Sequence, residues 1–187
     1  MAEAVVIGAS AGALEALSII LPGLPADYGL PVCVVVHLPP NKKSLLTDLF
    51  QTKCCVKVRE ADDKEPICAG TVYFAPPGYH LLIERDKSLS LSNDEPVLYS
   101  RPSVDVLFES AADAYGPGLI GIVLTGANQD GARGLKAFAE AGGTVIVQSP
   151  SGAHSSAMPE AALAACPGAQ VLSLAEIAVF LRDVEKA

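Results

Sequence analysis

The chain has 187 residues, half of them hydrophobic, and a formal net charge of -8 from 21 acidic and 13 basic residues. This length allows one domain with a substantial buried core. The excess of acidic residues argues against nucleic acid as a partner, since a phosphate backbone would be repelled. The sequence has no run of about 18 apolar residues that could cross a membrane.

Short apolar runs alternate with segments of helical period through most of the chain. Residues 5–7 and Val32–Val36 are continuous and rich in β-branched side chains, which is typical of strands buried on both faces. Each is followed by a predicted helix, Ala13–Ile20 after the first and residues 44–50, capped by Asn41, after the second. This alternation predicts a parallel sheet covered by helices.

The middle of the chain has a different pattern, because residues 71–75 predict a strand and residues 80–84 and 88–92 predict an antiparallel hairpin. The later predicted elements are a helix capped by Ser103 and ending at Tyr115, a strand over 119–124, a helix over 132–141, a strand over Thr144–Gln148 and a helix over about 174–184. The predicted fold class is therefore α/β, with a doubly wound, mostly parallel sheet, helices on both faces and one antiparallel hairpin. No repeat or linker divides the sequence, so we expect residues 1–187 to form a single domain.

A loop of small residues, Gly8-Ala9-Ser10-Ala11-Gly12, joins the first predicted strand to the first predicted helix. In open α/β sheets, ligands bind at the carboxyl ends of the strands, where helix N-termini offer backbone donors. The G-x-S-x-G spacing would present Ser10 as a nucleophile, but it is also compatible with a phosphate-binding turn or a plain connection. A dinucleotide site would need an acidic residue at the end of the second strand, and that strand ends in His37 instead.

Two further residues belong to the same predicted edge of the sheet. His37 follows the strand beside the first, and imidazole is the side chain best able to take a hydroxyl proton near neutral pH. Asp130 precedes a predicted helix, where it could cap that helix or orient the imidazole. We predict a hydrolytic enzyme with Ser10 as nucleophile, His37 as base and Asp130 as the residue that orients the base. The chain order differs from that of α/β-hydrolases, in which the acid precedes the histidine.

Other chemistry is not indicated by the sequence. The five cysteines form no C-x-x-C pair and only three histidines are present, so we predict no metal and no cofactor. His80 and His154 are expected in loops, and Arg101 could bind an acidic partner or hold the hairpin in place. The sequence starts without a basic leader, which predicts a cytoplasmic protein with no membrane insertion.

A series of short motifs runs along the chain: Val6-Ile7-Gly8-Ala9-Ser10, His37-Leu38-Pro39, Phe74-Ala75-Pro76-Pro77-Gly78-Tyr79-His80, Arg101-Pro102-Ser103-Val104-Asp105-Val106-Leu107-Phe108, Leu124-Thr125-Gly126, Asp130-Gly131-Ala132 and Met158-Pro159. In this order they resemble the catalytic domain of the chemotaxis protein-glutamate methylesterase (CheB) family, over nearly the whole chain. The resemblance implies hydrolysis of γ-glutamyl methyl esters on chemoreceptor helices, with deamidation of receptor glutamines in some members.

The same resemblance implies particular residues and partners. The family's serine, histidine and aspartate fall on Ser10, His37 and Asp130, and backbone N–H groups of Ala11 or Ala127 would bind the oxyanion. The implied partners are methyl-accepting chemoreceptor helices. Because the family's usual N-terminal receiver domain is not seen in this sequence, a separate receiver protein or a methyltransferase is a further candidate partner.

The sequence departs from the family pattern in two loops. Ala11 and Ala13 stand where threonine and glycine are usual in G-A-S-T-G-G, and residues 127–129 replace the methionine and glycine of T-G-M-G-x-D-G-A. These changes bear on rate and substrate preference more than on reaction class. Two alternatives stay open: an esterase with the same triad and another acyl substrate, and a non-catalytic binding module whose crevice recognises a helix or a nucleotide.

Overall fold

The computed structural model describes residues 1–37 and 45–184. In chain order its elements are β1 (Ala4–Ala9), α1 (Ala13–Ile20), β2 (Val32–Val36), α2 (Leu46–Gln51), β3 (Lys57–Glu60), β4 (Thr71–Phe74), β5 (His80–Ile83), β6 (Leu89–Ser92), α3 (Val104–Tyr115), β7 (Leu119–Val123), α4 (Ala132–Glu140), β8 (Thr144–Gln148), α5 (Ala157–Ala165), β9 (Gln170–Leu172) and α6 (Leu174–Asp183). Within these ranges, no helix is both long enough and apolar enough to span a membrane.

Most of the strands belong to one parallel sheet with the order β3-β4-β2-β1-β7-β8-β9. Strand β1 is central, and the chain leaves it towards β2 on one side and later returns to β7 on the other. The strand order therefore reverses at β1, which places a crevice at its carboxyl end. Strands β5 and β6 form a separate antiparallel hairpin. The predicted α/β fold class, with its parallel sheet and single hairpin, is confirmed.

Two hydrophobic cores lie on opposite faces of the sheet. Successive side chains of a strand point to opposite faces, so Val6 packs in the core formed with α3, α4 and α5, whereas Ile7 packs in the core formed with α1 and α6. Both side chains are fully buried. This two-sided burial explains why β1 and β2 are uninterrupted apolar runs rather than alternating ones.

Three elements were absent from the sequence prediction. Strands β3 and β9 are the two edges of the sheet and carry partly exposed polar residues, so they lack the apolar run of a central strand. Helix α5 is rich in alanine and contains Pro159 in its first turn, where proline is tolerated. The predicted helix over residues 44–50 is observed as α2 from Leu46, while its expected start and its Asn41 cap lie outside the described residues.

Candidate active site

Ser10 lies immediately after β1, in a tight turn at the carboxyl edge of the sheet. Its backbone N–H donates to the Thr125 carbonyl at 2.9 Å, and its own carbonyl accepts from the Ala13 N–H at 2.9 Å. Gly12 has a left-handed φ of 84°, and a Cβ there would lie 2.5 Å from the Cβ of His154. Glycine at position 12 is therefore required both by the backbone conformation of this loop and by the close packing of a second loop.

His37 joins Ser10 to Asp130. Strand β2 pairs with β1, and the His37 N–H continues that pairing by donating to the Ala9 carbonyl at 3.3 Å. The ring places Nδ1 3.1 Å from Ser10 Oγ and Nε2 2.7 Å from Asp130 Oδ2. Since an ionised carboxylate can only accept, the proton is assigned to Nε2, and Nδ1 accepts the Ser10 hydroxyl. The three predicted residues thus form one continuous hydrogen-bonded chain.

Asp130 is completely buried and accepts hydrogen bonds on both carboxylate oxygens. Besides His37, Oδ2 accepts the Val104 N–H at 2.7 Å. The other oxygen, Oδ1, accepts the Ser103 hydroxyl and the Asp105 N–H, each at 2.9 Å. These backbone donors are the first turn of α3, so the carboxylate also satisfies the N-terminus of that helix.

The helix caps differ from those predicted. The N-cap of α4 is Gly131, so the prediction that Asp130 caps its own helix is wrong; its carboxylate caps α3 instead. Ser103 does occupy the N-cap position of α3, but its side chain makes no capping bond to that helix. Asp105 of α3 in turn caps α4, because its Oδ1 accepts the N–H groups of Gly131 and Gly134 at 2.9 and 2.7 Å. The N-terminus of α3 is therefore capped by Asp130, which precedes α4, and the N-terminus of α4 is capped by Asp105 of α3.

The two carboxylates have opposite pKa shifts. Burial by itself would raise the pKa of Asp130, but the hydrogen bonds from His37, Asp105 and Val104 outweigh it and leave that pKa below its usual value. Burial raises the pKa of Asp105 above its usual value, despite hydrogen bonds from Gly134, and the negative charge of Asp130 adds to the increase. Asp130 is thus the carboxylate that the structure keeps ionised beside the imidazole.

The two predicted oxyanion donors lie in loops that are held together. Thr125 Oγ1 donates to the Ala11 carbonyl at 2.8 Å and accepts the Ser155 N–H at 2.9 Å, while the Gly126 N–H donates to the Ser155 carbonyl at 3.1 Å. Within residues 1–37 and 45–184, the N–H groups of Ala11 and Ala127 have no protein acceptor. The structure therefore leaves both donors available at this edge of the sheet.

His80 starts the hairpin strand predicted over residues 80–84, and that prediction is confirmed, whereas the separate expectation that His80 lies in a loop is wrong. It is the first residue of β5 and is buried, with its Nδ1 accepting the Ser103 N–H at 3.2 Å and its Nε2 donating to the Glu95 carbonyl at 3.0 Å. The only sequence signal was its position at the start of an apolar strand. Sequence reasoning also missed the bond from Ser103 to Asp130, because the partners lie 27 residues apart.

Two further residues from the sequence analysis lie away from the hydrogen-bonded chain. Arg101 donates to the carbonyls of Asn93 and Asp94 at 2.8 and 3.0 Å, so it holds the segment that follows the hairpin. His154 is exposed and lies over the Ser10 loop at Gly12. Among the described residues, no group of three or more His, Cys, Asp or Glu side chains is arranged to hold a metal ion.

A parallel α/β sheet with a serine, a histidine and a buried aspartate hydrogen-bonded in series at its carboxyl edge has the arrangement of a serine hydrolase. Comparisons with known proteins are more specific. Residues 5–181 match the family model described as CheB methylesterase. The chain belongs to the CheB methylesterase family.

The individual similarities cover nearly the whole chain. A protein of Leptospira interrogans is 48% identical over 181 residues, which are 96% of this chain and 94% of that protein. A protein-glutamate methylesterase/protein-glutamine glutaminase of Archaeoglobus fulgidus is 40% identical over 162 residues, 85% of this chain and 46% of that protein. The crystal structure of the Thermotoga maritima CheB methylesterase catalytic domain matches with a TM-score of 0.93 at 30% identity, covering 98% of this chain and 99% of that one.

Proposed function

We propose that this chain is a serine hydrolase that removes methyl groups from γ-glutamyl methyl esters of methyl-accepting chemoreceptors, and that it also deamidates receptor glutamines. The observation that carries the proposal is the unbroken hydrogen-bonded chain from Ser10 Oγ through His37 to Asp130. The similarity to the protein-glutamate methylesterase/protein-glutamine glutaminase of Archaeoglobus fulgidus supports the choice of substrate. The partner would be a methylated receptor helix, with a separate receiver protein or a methyltransferase as a candidate regulator.

In the proposed mechanism, Ser10 Oγ attacks the carbonyl carbon of the methyl ester while its proton passes to Nδ1 of His37. Asp130 stabilises the resulting imidazolium through Nε2. When the tetrahedral intermediate collapses, the bond to the methoxy oxygen breaks, and that oxygen takes the proton from His37 and leaves as methanol. An acyl-enzyme on Ser10 remains.

The second half of the reaction uses the same groups in the same order. Water attacks the acyl carbon while His37 accepts its proton, and the proton then returns to Ser10 as the glutamate carboxylate is released. In both halves the developing oxyanion would be bound by the N–H groups of Ala11 and Ala127. Among the described residues neither N–H has a protein acceptor, which supports this role, because an unpaired donor is available to stabilise a transient charge.

The decisive experiment measures methanol release from methylated chemoreceptor in membranes with wild type and Ser10→Ala. We expect release by the wild type and a loss of about 10³-fold or more in the variant, because the variant lacks the hydroxyl that forms the acyl-enzyme. Ser18→Ala is the matched control, since Ser18 lies on α1 and contacts Lys53 rather than the site. Full activity of Ser10→Ala would contradict the proposal.

A second measurement separates this proposal from the esterase and binding-module alternatives. A fluorophosphonate probe should label wild type at Ser10 and should not label Ser10→Ala. Labelling without methanol release would indicate a hydrolase for another acyl substrate, and hydrolysis of small esters would then identify it. No labelling and no release would indicate the binding module.

A further inference from the structure

The hydrogen-bonded chain of the site continues beyond Asp130 into the body of the protein. Ser103 Oγ donates to Asp130 Oδ1 at 2.9 Å, the Ser103 N–H donates to His80 Nδ1 at 3.2 Å, and His80 Nε2 donates to the Glu95 carbonyl at 3.0 Å. His80, Ser103 and Asp130 are 2%, 0% and 0% exposed, so these bonds are shielded from water. The hairpin strand β5 is thereby connected to the carboxylate beside His37.

The position of the Asp130 carboxylate depends on both of its oxygens. A carboxylate can rotate about the Cβ–Cγ bond, so the donors on Oδ1, together with the Val104 N–H on Oδ2, keep Oδ2 directed at His37. The Ser103 hydroxyl is the one side-chain donor on Oδ1 among the described residues, beside the backbone N–H of Asp105. We propose that Ser103, held by His80, is a positioning residue that fixes the Asp130 carboxylate for the reaction; this rests on the proposed function.

A role in helix capping does not account for Ser103. Serine at an N-cap normally accepts a hydrogen bond from an N–H of its own helix, whereas here the first N–H groups of α3 bind Asp130. The Ser103 hydroxyl instead donates to the charged Asp130 carboxylate, and both residues are fully buried. A buried hydroxyl lowers stability unless it is hydrogen-bonded, and within the described part of the chain the acceptor of the Ser103 hydroxyl is Asp130.

His80 explains why the Ser103 side chain points towards Asp130. Its Nδ1 must be unprotonated, since it accepts a backbone N–H, and its Nε2 must carry the proton that is donated to the Glu95 carbonyl. The ring is therefore held in one tautomer and one orientation. It fixes the backbone N–H of Ser103, and among the described residues its hydrogen bonds go to Ser103 and Glu95 rather than to Ser10 or His37.

The test compares Ser103→Ala with Ser110→Ala in the full chain. Ser110 is on the same helix and accepts the Ile83 N–H of β5 at 3.1 Å, so its variant also removes a hydroxyl between α3 and the hairpin, but away from Asp130. We expect Ser103→Ala to lower kcat for methanol release about 10-fold to 100-fold, with KM within about twofold, because a hydrogen bond to a charged group is lost. Ser110→Ala should stay within about twofold of wild type.

Two further readouts separate positioning from a general structural effect. The rate of fluorophosphonate labelling at Ser10 should fall in Ser103→Ala in proportion to kcat. The downfield proton resonance of the His37–Asp130 hydrogen bond should shift or broaden in that variant and remain unchanged in Ser110→Ala. Ser103→Thr, which keeps the hydroxyl, should restore both the labelling rate and the resonance.

If Ser103→Ala fails to fold, Ser103→Cys takes its place in the test, because cysteine has a similar size and a weaker donor.

Each outcome gives a decision. Equal losses in Ser103→Ala and Ser110→Ala, or an unchanged resonance in Ser103→Ala, would overturn the positioning role. A wild type that reacts with the probe but releases no methanol would refute the proposed substrate, and the labelling rates and the resonance would still test the role of Ser103.

Discussion

Asp130 accepts hydrogen bonds from His37, Ser103, Val104 and Asp105, which reach it from two different parts of the chain. One carboxylate therefore orients the imidazole, satisfies the N-terminus of α3 and connects the site to the hairpin. All of these partners are donors. An asparagine at position 130 would place its NH₂ group opposite the donors that now bind one of the two oxygens. The negative charge and the hydrogen bonds to those donors would then be lost together.

We expect Asp130→Asn to lower kcat for methanol release by about 10³-fold to 10⁴-fold, because the imidazole loses the acceptor that holds its tautomer. The free energy of unfolding should fall as well, since buried donors lose their acceptor. Steady-state kinetics and urea denaturation measure the two effects. A variant with wild-type kcat would show that Asp130 does not orient His37.

The low pKa of Asp130 also predicts how its contribution to stability depends on pH. A carboxyl group whose folded pKa lies below its unfolded value stabilises the folded state fully above the unfolded pKa, and this stability is lost as the pH falls through the folded pKa. The difference in unfolding free energy between wild type and Asp130→Asn should therefore be largest near neutral pH and smaller in acid. A difference that stays constant into strong acid would contradict the assigned pKa shift.

Helices α3 and α4 begin beside Asp130, and they approach each other closely at Gly134. A Cβ at this position would lie 2.5 Å from the Phe108 Cβ and 3.0 Å from the Asp105 carbonyl oxygen. Gly134 also donates its N–H to the Asp105 carboxylate. The reciprocal caps between the two helices thus require a residue without a side chain at their point of contact.

We expect Gly134→Ala to lower the free energy of unfolding by about 1–3 kcal/mol, because the overlap includes backbone atoms that cannot move aside. The predicted loss has the opposite sign to the stabilisation of about 1 kcal/mol that replacing glycine by alanine normally gives inside a helix. Gly168→Ala is the control, since a Cβ at Gly168 meets nothing within 4 Å. Urea denaturation of both variants tests the prediction, and a Gly134→Ala protein as stable as wild type would refute the close approach.

At the scale of the whole molecule, the main parallel sheet lies between two cores, and the five cysteines differ in how deeply this arrangement buries them. Cys55 and Cys68 are exposed, whereas Cys33 and Cys166 are buried. Burial, with a smaller effect of Glu65, raises the pKa of Cys33 to about 12. Burial and the neighbouring Cys55 raise the pKa of Cys54 to about 11. Since the thiolate is the reactive form, the raised pKa values disfavour reaction at Cys33 and Cys54, while exposure favours reaction at Cys55 and Cys68.

We expect a thiol reagent at neutral pH to modify Cys55 and Cys68 quickly in the native protein, and the remaining cysteines only slowly or after unfolding. Mass spectrometry of modified peptides identifies the sites, and the same reaction in denaturant supplies the control in which all thiols react. Rapid modification of Cys33 in the native state would contradict the burial of β2 in the central sheet.

Much of the architecture and the identity of the three central residues could be predicted from the sequence alone. Buried parallel strands are continuous apolar runs, so β1, β2, β7 and β8 are visible locally, and the carboxyl ends of parallel strands meet at one edge. Ser10, His37 and Asp130 each follow such a strand, which is why their convergence could be expected before any geometry was known. The edge strands β3 and β9 lack this signal because only part of each is buried.

What only the tertiary structure decided is how the polar groups pair. Residue type predicts that Asp130 accepts hydrogen bonds, but not that its donors lie 93 residues away in His37 and at the start of α3 rather than in its own helix. The same holds for His80 and Ser103, whose bond spans 23 residues. Hydrophobic periodicity is local and determines elements, whereas a buried hydrogen bond depends on distance and direction between segments that only folding brings together.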